Sequence, residues 1–155
     1  MQQKALERSL YASEVKSDVR NVLDDVVSIF PVPNVNPEEM SNDTLAYLGD
    51  AVFNLYAKLY VLADTKVQKV HSVATMLVSR QGQSKILSNI LNLLNEKEKE
   101  VVRRGINSKG ARKHGNDRQY MESTGLETLI GYLYLIDKER LSFLLKEGMA
   151  AWKEV

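Results

Sequence analysis

The stretch DTLAYLGDAVFNLYAKLYVL, Asp43 to Leu62, decides the fold. Leu45, Leu48, Val52, Leu55, Leu59 and Leu62 recur in steps of three and four, the period of an α-helix. The spacing predicts a core-facing stripe. The side that carries Asp50 is not polar either, because Ala46, Tyr47, Phe53 and Ala57 lie near it. A helix apolar nearly all round is usually buried, so the Asp50 carboxylate is expected to lose solvation unless a cation or a donor meets it. Gly49 stands beside it. Glycine weakens a helix interior by roughly 1 kcal/mol relative to alanine, and close approach of another backbone is one reason to keep it there. Ser41, Asn42 and Asp43 are the candidate caps.

Outward from this helix the chain stays helical. Breakers are few, and leucine, glutamate, lysine and alanine abound. Helices are expected near 66–80, 82–94 and 96–105. A polar loop with Gly105, Gly110 and Gly115 is expected over 105–118, its glycines making it mobile. Two helices should follow, over 119–136 and 138–152, the last with Leu141, Leu144, Leu145, Met149 and Trp152 on one stripe. Met residues and Trp152 read as core, and Glu96–Glu100 as a solvated helix start. Toward the N-terminus, Pro31, Pro33 and Pro37 mark an extended connector, and 4–29 reads as one or two amphipathic helices. No sustained alternation points to a sheet. The fold class is all-α, with an N-terminal helical extension and connector over 1–35 and the main domain over 36–155.

Composition narrows the function. The chain has 155 residues, 21 Lys plus Arg against 20 Asp plus Glu, and a formal charge of +1. Binding of nucleic acid through bulk charge is excluded, though a local basic surface is not. There is no cysteine, which excludes disulfides, thiolate metal sites and cysteine nucleophiles. Two histidines make a histidine-rich zinc site a poor fit. No apolar run is long enough to cross a bilayer, and the charged N-terminus has no signal-peptide core. The expected location is the cytoplasm.

The helix over 119–136 repeats the logic of the first. Leu126, Leu129, Ile130 and Leu133 form its stripe, while Thr124, Glu127 and Gly131 share one face beside it. If the two helices cross there, Asp50 and Glu127 can share a divalent cation, and oxygen-only ligation suits Mg²⁺ or Mn²⁺. The alternative is that Asp50 caps a neighbouring helix and Glu127 pairs with an arginine. Arg103, Arg104, Lys109, Arg112, Lys113, His114 and Arg118 crowd the segment before Glu127. They read as a grip for a phosphate backbone or as a solvated loop. His114 has no special role expected of it, and Asn107 and Asn116 read as turn or cap residues. Arg80, Gln83 and Lys85 could extend the basic surface, but ordinary exposed positions are the expectation for them.

Leu45-Ala46-Tyr47-Leu48-Gly49-Asp50-Ala51-Val52 resembles LEFLGDAV, the signature of the ribonuclease III nuclease domain. Thr124-Gly125-Leu126-Glu127-Thr128-Leu129-Ile130-Gly131 is similar to its second motif, D-x-x-E-A-x-x-G, in the Glu and the Gly. Their order and separation also fit. Ala46 and Thr124 stand where the full-length enzymes carry carboxylates, and both replacements resemble those of the short bacterial branch, Mini-ribonuclease III. Arg103–Lys109 resembles that branch's RGRNAK loop, with Ile106 and Ser108 as departures, and Tyr120 resembles a tyrosine that follows it. The likeness covers roughly 36–153 and leaves the first thirty residues or so unexplained. As in that branch, no double-stranded-RNA-binding domain is expected after the nuclease domain.

The resemblance implies a homodimeric endonuclease of double-stranded RNA that uses Mg²⁺, with Mn²⁺ as a substitute, and leaves a 5′-phosphate and a 3′-hydroxyl. It implies Asp50 and Glu127 as catalytic metal carboxylates and Asp43 as an auxiliary acid. Arg80, Lys85, Arg103, Arg104, Lys109, Arg112, Lys113 and Arg118 are the residues expected on the RNA. Tyr47, Leu48 and Val52 match dimer-forming positions. The implied substrate is a stem of precursor 23S ribosomal RNA, and a ribosomal protein that presents the stem is a partner left open. With two acids fewer, the site is expected to bind metal more weakly or with more water. Two alternatives stand: a non-cleaving RNA- or ribosome-binding module of the same fold, and an unrelated helical adaptor.

Overall fold

The fold comes from a computed structural model, which describes Phe30, residues 32–64 and residues 67–150. The helices expected over 4–29, Pro31 and Trp152 lie outside the described residues, as does nearly all of the 1–35 unit. Among the described residues there are six α-helices and no strand, so the all-α class holds. They are α1 (Asn42–Asp64), α2 (Val67–Val78), α3 (Arg80–Ile90), α4 (Glu96–Ile106), α5 (Arg118–Ile136) and α6 (Lys138–Ala150). A 3₁₀ turn, Pro37–Glu39, precedes α1, and a second, Leu91–Leu93, lies between α3 and α4. Pro37 opens the first turn instead of extending the connector, at the position where a missing N–H costs nothing.

Polar side chains start most of these helices. Ser41 caps α1 by accepting the Thr44 N–H at 3.1 Å. Ser79 caps α3 through the Gly82 N–H, and Asp117 caps α5 through the Tyr120 N–H. Asn95 and Glu98 form a reciprocal capping box on α4. Glu98 departs from the solvated start expected of its segment. It is buried and also receives both Nε and Nη2 of Arg140, at 2.7 and 3.0 Å. Burial disfavours its charge, but the Arg140 pairing and the capping bond outweigh that and lower its pKa.

Helix α5 is the axis of the fold. It buries residues on every side, from Ser123 to Leu126 and from Thr128 to Tyr134, as expected of a helix surrounded by others. Helices α1, α3, α4 and α6 pack around it. Leu126, Leu129, Ile130 and Leu133 are all within 3% of complete burial, and each such side chain contributes about 1.5–3 kcal/mol by leaving water.

Two glycine crossings set the spacing around this axis. A Cβ on Gly49 would lie 1.7 Å from the Glu127 carbonyl oxygen, and one on Gly131 would lie 2.0 Å from that of Leu45. On the other side, a Cβ on Gly105 would lie 2.4 Å from Thr128 Oγ1. Backbone therefore touches backbone where α1 meets α5, which is the close approach that Gly49 in a helix suggests.

That contact rotates α1 away from the face its leucines predict. Leu45 and Val52 are buried, but Leu48, Leu55 and Leu59 are only partly so, and Leu62 is 56% exposed. The core face is Leu45, Ala46, Gly49, Phe53, Tyr56 and Ala57. Asp50 is exposed on the flank of that face and not enclosed as expected. Met149 joins the core as read, whereas Met76 is 52% exposed.

The 107–117 segment is a run of turns. Ser108 and Ala111 are buried, and Ser108 Oγ accepts the Ala111 N–H. Its glycines do different work from the mobility expected of them. Gly105 lies within α4, Gly110 abuts Asp43, and only Gly115 adopts a positive φ, of 72°.

Candidate active site

Gly49 and Gly131 bring α1 and α5 together at the level of Asp50 and Glu127. Asp50 lies within electrostatic reach of Glu127, and its carboxyl group raises the Glu127 pKa. The Glu127 pKa is raised to about 7, chiefly because burial strips its solvation and then because Asp50 repels its charge. Asn54 Nδ2 donates to Asp50 Oδ1 at 2.7 Å. Asp50 caps no neighbouring helix, and Glu127 pairs with no arginine among the described residues.

The partner of Glu127 is Gln83. Its Nε2 donates to Glu127 Oε1 at 3.0 Å and to the Val78 carbonyl at 3.0 Å. Gln83 is 2% exposed, contrary to the surface position expected of it. A usable signal lay in its spacing, because Gln83, Ile86, Leu87 and Ile90 fall on one face of α3. Its neighbours carry further polar ties to α5. Arg80 pairs with Asp117 and lies 5.6 Å over the Tyr120 ring, and Ser84 donates to Glu122. Burial works against the Glu122 charge, yet the Ser84 hydroxyl and Arg118 hold its pKa below the ordinary value.

The donors suit a hard cation. Asp50 and Glu127 supply carboxylate oxygens, and Gln83, bonded to Glu127 through its nitrogen, has a buried Oε1 without a hydrogen-bond partner among the described residues. No cluster of three or more His, Cys, Asp or Glu accompanies them among the described residues. So spare an oxygen set fits Mg²⁺, which keeps several waters and takes few protein ligands. Asp43 is not brought to the pair. It stands two turns earlier on α1, and its Oδ1 accepts the Gly110 N–H at 3.2 Å.

The basic residues divide into groups. Lys109, Arg112 and Lys113 are exposed on the 107–117 segment, and Arg103 is exposed in the last turn of α4. Arg118 pairs with Glu122 at 2.6 Å, and Lys85 is exposed on α3. Arg104 departs from the set: it is partly buried near Glu38 and Tyr132, beside Lys97. His114 meets the Tyr120 ring edge-on at 4.5 Å. Tyr47 is 82% exposed, and with Leu48 and Val52 it borders an apolar cleft of about 550 Å³.

Known proteins resemble this arrangement. The profile of the ribonuclease III domain matches residues 43–138. The Mini-ribonuclease 3 of Kosmotoga olearia is 40% identical over 127 residues, which cover 78% of this chain and 88% of that protein. The Mini-ribonuclease 3 of Clostridium tetani is 37% identical over 123 residues, covering 76% and 82%. The crystal structure of a Fusobacterium nucleatum protein superimposes with a TM-score of 0.62 at 29% identity, covering 76% of this chain and 96% of that one.

Proposed function

The chain belongs to the ribonuclease III family, on its Mini-ribonuclease 3 branch, and from that premise we propose a Mg²⁺-dependent endonuclease of double-stranded RNA that acts as a homodimer. The observation that carries this is the meeting of Asp50 and Glu127 at the Gly49–Gly131 crossing. Asp50 and Glu127 would hold the cation, with Mn²⁺ able to substitute. The cation, when bound, supplies charge stabilisation and lowers the pKa of an attacking water. Hydrolysis leaves a 5′-phosphate and a 3′-hydroxyl.

The rest of the surface supports the reading. Exposed Lys109, Arg112, Lys113 and Arg103 would offer charge to phosphates, and Arg80, Lys85 and Arg118, also exposed, would add to it. Duplex RNA is recognised by shape, phosphates and 2′-hydroxyls, since its deep groove admits no side chains. The apolar cleft beside Tyr47, Leu48 and Val52 would seat a second protomer. Two sites so joined can cut both strands. No described helix is long and apolar enough to cross a membrane. Stems of precursor 23S ribosomal RNA in the cytoplasm are the substrate we favour, with a ribosomal protein as the candidate to present them.

The test is cleavage of long double-stranded RNA with Mg²⁺, wild type beside Asp50→Asn and Glu127→Gln. Both variants should fold and dimerise yet fail to cut. A wild type that binds RNA but never cuts, with Mg²⁺ or Mn²⁺ and on ribosomal precursor stems, would replace the nuclease with a binding module.

A further inference from the structure

Gln83 is buried, polar and hydrogen-bonded to Glu127, and the activity proposed above gives it no part. Both protons of its amide are used, one on Glu127 Oε1 and one on the Val78 carbonyl. Val78 ends α2, where helix carbonyls lack an intrahelical partner. A carbonyl can only accept, so Val78 fixes which end of the amide is which. The nitrogen is thereby held against Glu127, and the oxygen is left buried without a partner among the described residues. Gly82 makes this placement possible: a Cβ there would lie 2.2 Å from the Met76 carbonyl oxygen. Ser79 closes the same corner, accepting from Gly82 N–H and donating to the Met76 carbonyl. The turn between α2 and α3 is thus built to hold one side chain in one orientation.

We propose that Gln83 is the positioning residue of the metal site: it fixes Glu127 Oε1, leaves the second oxygen for the cation shared with Asp50, and offers its own Oε1 to a water of that cation. The inference rests on the metal-nuclease reading. Groups that orient a ligand carboxylate commonly govern metal affinity about as strongly as tenfold to a hundredfold. An apolar side chain here would leave the Val78 carbonyl and Glu127 Oε1 without their donor, so the amide both closes the turn and orients the carboxylate, and only a metal readout separates the two roles.

The experiment titrates the full chain with Mn²⁺ by calorimetry, alongside melting curves, kcat and KM on duplex RNA, and RNA affinity in EDTA. Gln83→Met removes the amide at nearly constant volume, and Gln83→Asn keeps an amide but shortens its reach. Each should weaken Mn²⁺ binding by about tenfold or more and lower kcat, with KM and RNA affinity in EDTA unchanged. Ser84→Ala, which loosens the same α3–α5 contact without touching Glu127, should leave Mn²⁺ affinity at the wild-type value. The inference is overturned if the folded Gln83 variants bind Mn²⁺ like wild type while Asp50→Asn does not, an outcome that leaves the metal reading standing. It is overturned equally if Ser84→Ala weakens Mn²⁺ as much as they do. A wild type that takes up no Mn²⁺, with Asp50→Asn cutting RNA as well as wild type, removes the metal reading and this inference together.

Discussion

Gly49 and Gly131 stand back to back: a Cβ on Gly49 would lie 2.9 Å from the Gly131 nitrogen, and a Cβ on Gly131 would lie 3.2 Å from the Gly49 nitrogen. Neither is chosen for a special backbone angle, since Gly115 alone has a positive φ among the described residues. Both are chosen for room. Gly49→Ala should therefore destabilise the protein by about 3 kcal/mol or more, because backbone on a central helix cannot step aside. Gly115→Ala meets open space and should cost only the left-handed strain, about 1 kcal/mol. Urea denaturation of the two variants decides between crowding and conformation.

Glu127 makes stability depend on pH. Its folded pKa of about 7 exceeds the ordinary 4.5, so folding takes up a proton between those values. The associated stability is complete below pH 4.5 and is lost as pH rises through 7. In EDTA, Glu127→Gln should match wild type near pH 4.5 and exceed it at pH 8, by up to about 3 kcal/mol. Saturating Mg²⁺ should cancel the advantage, since the cation binds the charged form. Melting temperatures across that range, with and without Mg²⁺, give the answer; an advantage independent of pH would contradict the burial argument.

The exposed ring of Tyr47 belongs to no core of its own protomer. If the proposed dimer forms on this cleft, Tyr47→Asp should leave the helical spectrum intact and convert dimer to monomer in sedimentation velocity. A dimer that survives would place the second protomer elsewhere than on the apolar cleft.

The basic residues should separate by salt dependence. Lys109→Ala with Lys113→Ala should lower the slope of log affinity against log salt by about two, one per lost phosphate contact. Arg104→Ala should leave the slope alone and lower thermal stability instead, because Arg104 lies among Glu38, Tyr132 and Glu100. Equal slopes for all three would mean that the 107–117 segment does not touch the duplex.

Much of this was legible in the residues, and the misses have a common cause. The expected helices match those found among the described residues, and Gly49 beside Asp50 signalled the crossing. What periodicity cannot say is which of two apolar faces meets the neighbour. The leucines of α1 marked one face, but the glycine and small residues marked the one that α5 occupies. Glu98 and Gln83 were read as surface because their letters are polar. Their partners, Arg140 and Glu127, are 42 and 44 residues away, and no local pattern reports a bond of that span.

Helix α5, walled by four others, carries Glu127 at its middle. Its amide protons should exchange only when the whole molecule opens, so the slowest exchange rates should fall on the segment around Glu127. Any partial opening that freed α1 would take Asp50 away and leave Glu127 alone. On the proposed mechanism, a copy caught half-folded holds one carboxylate of the pair and should not cut, so activity would be lost no later than architecture.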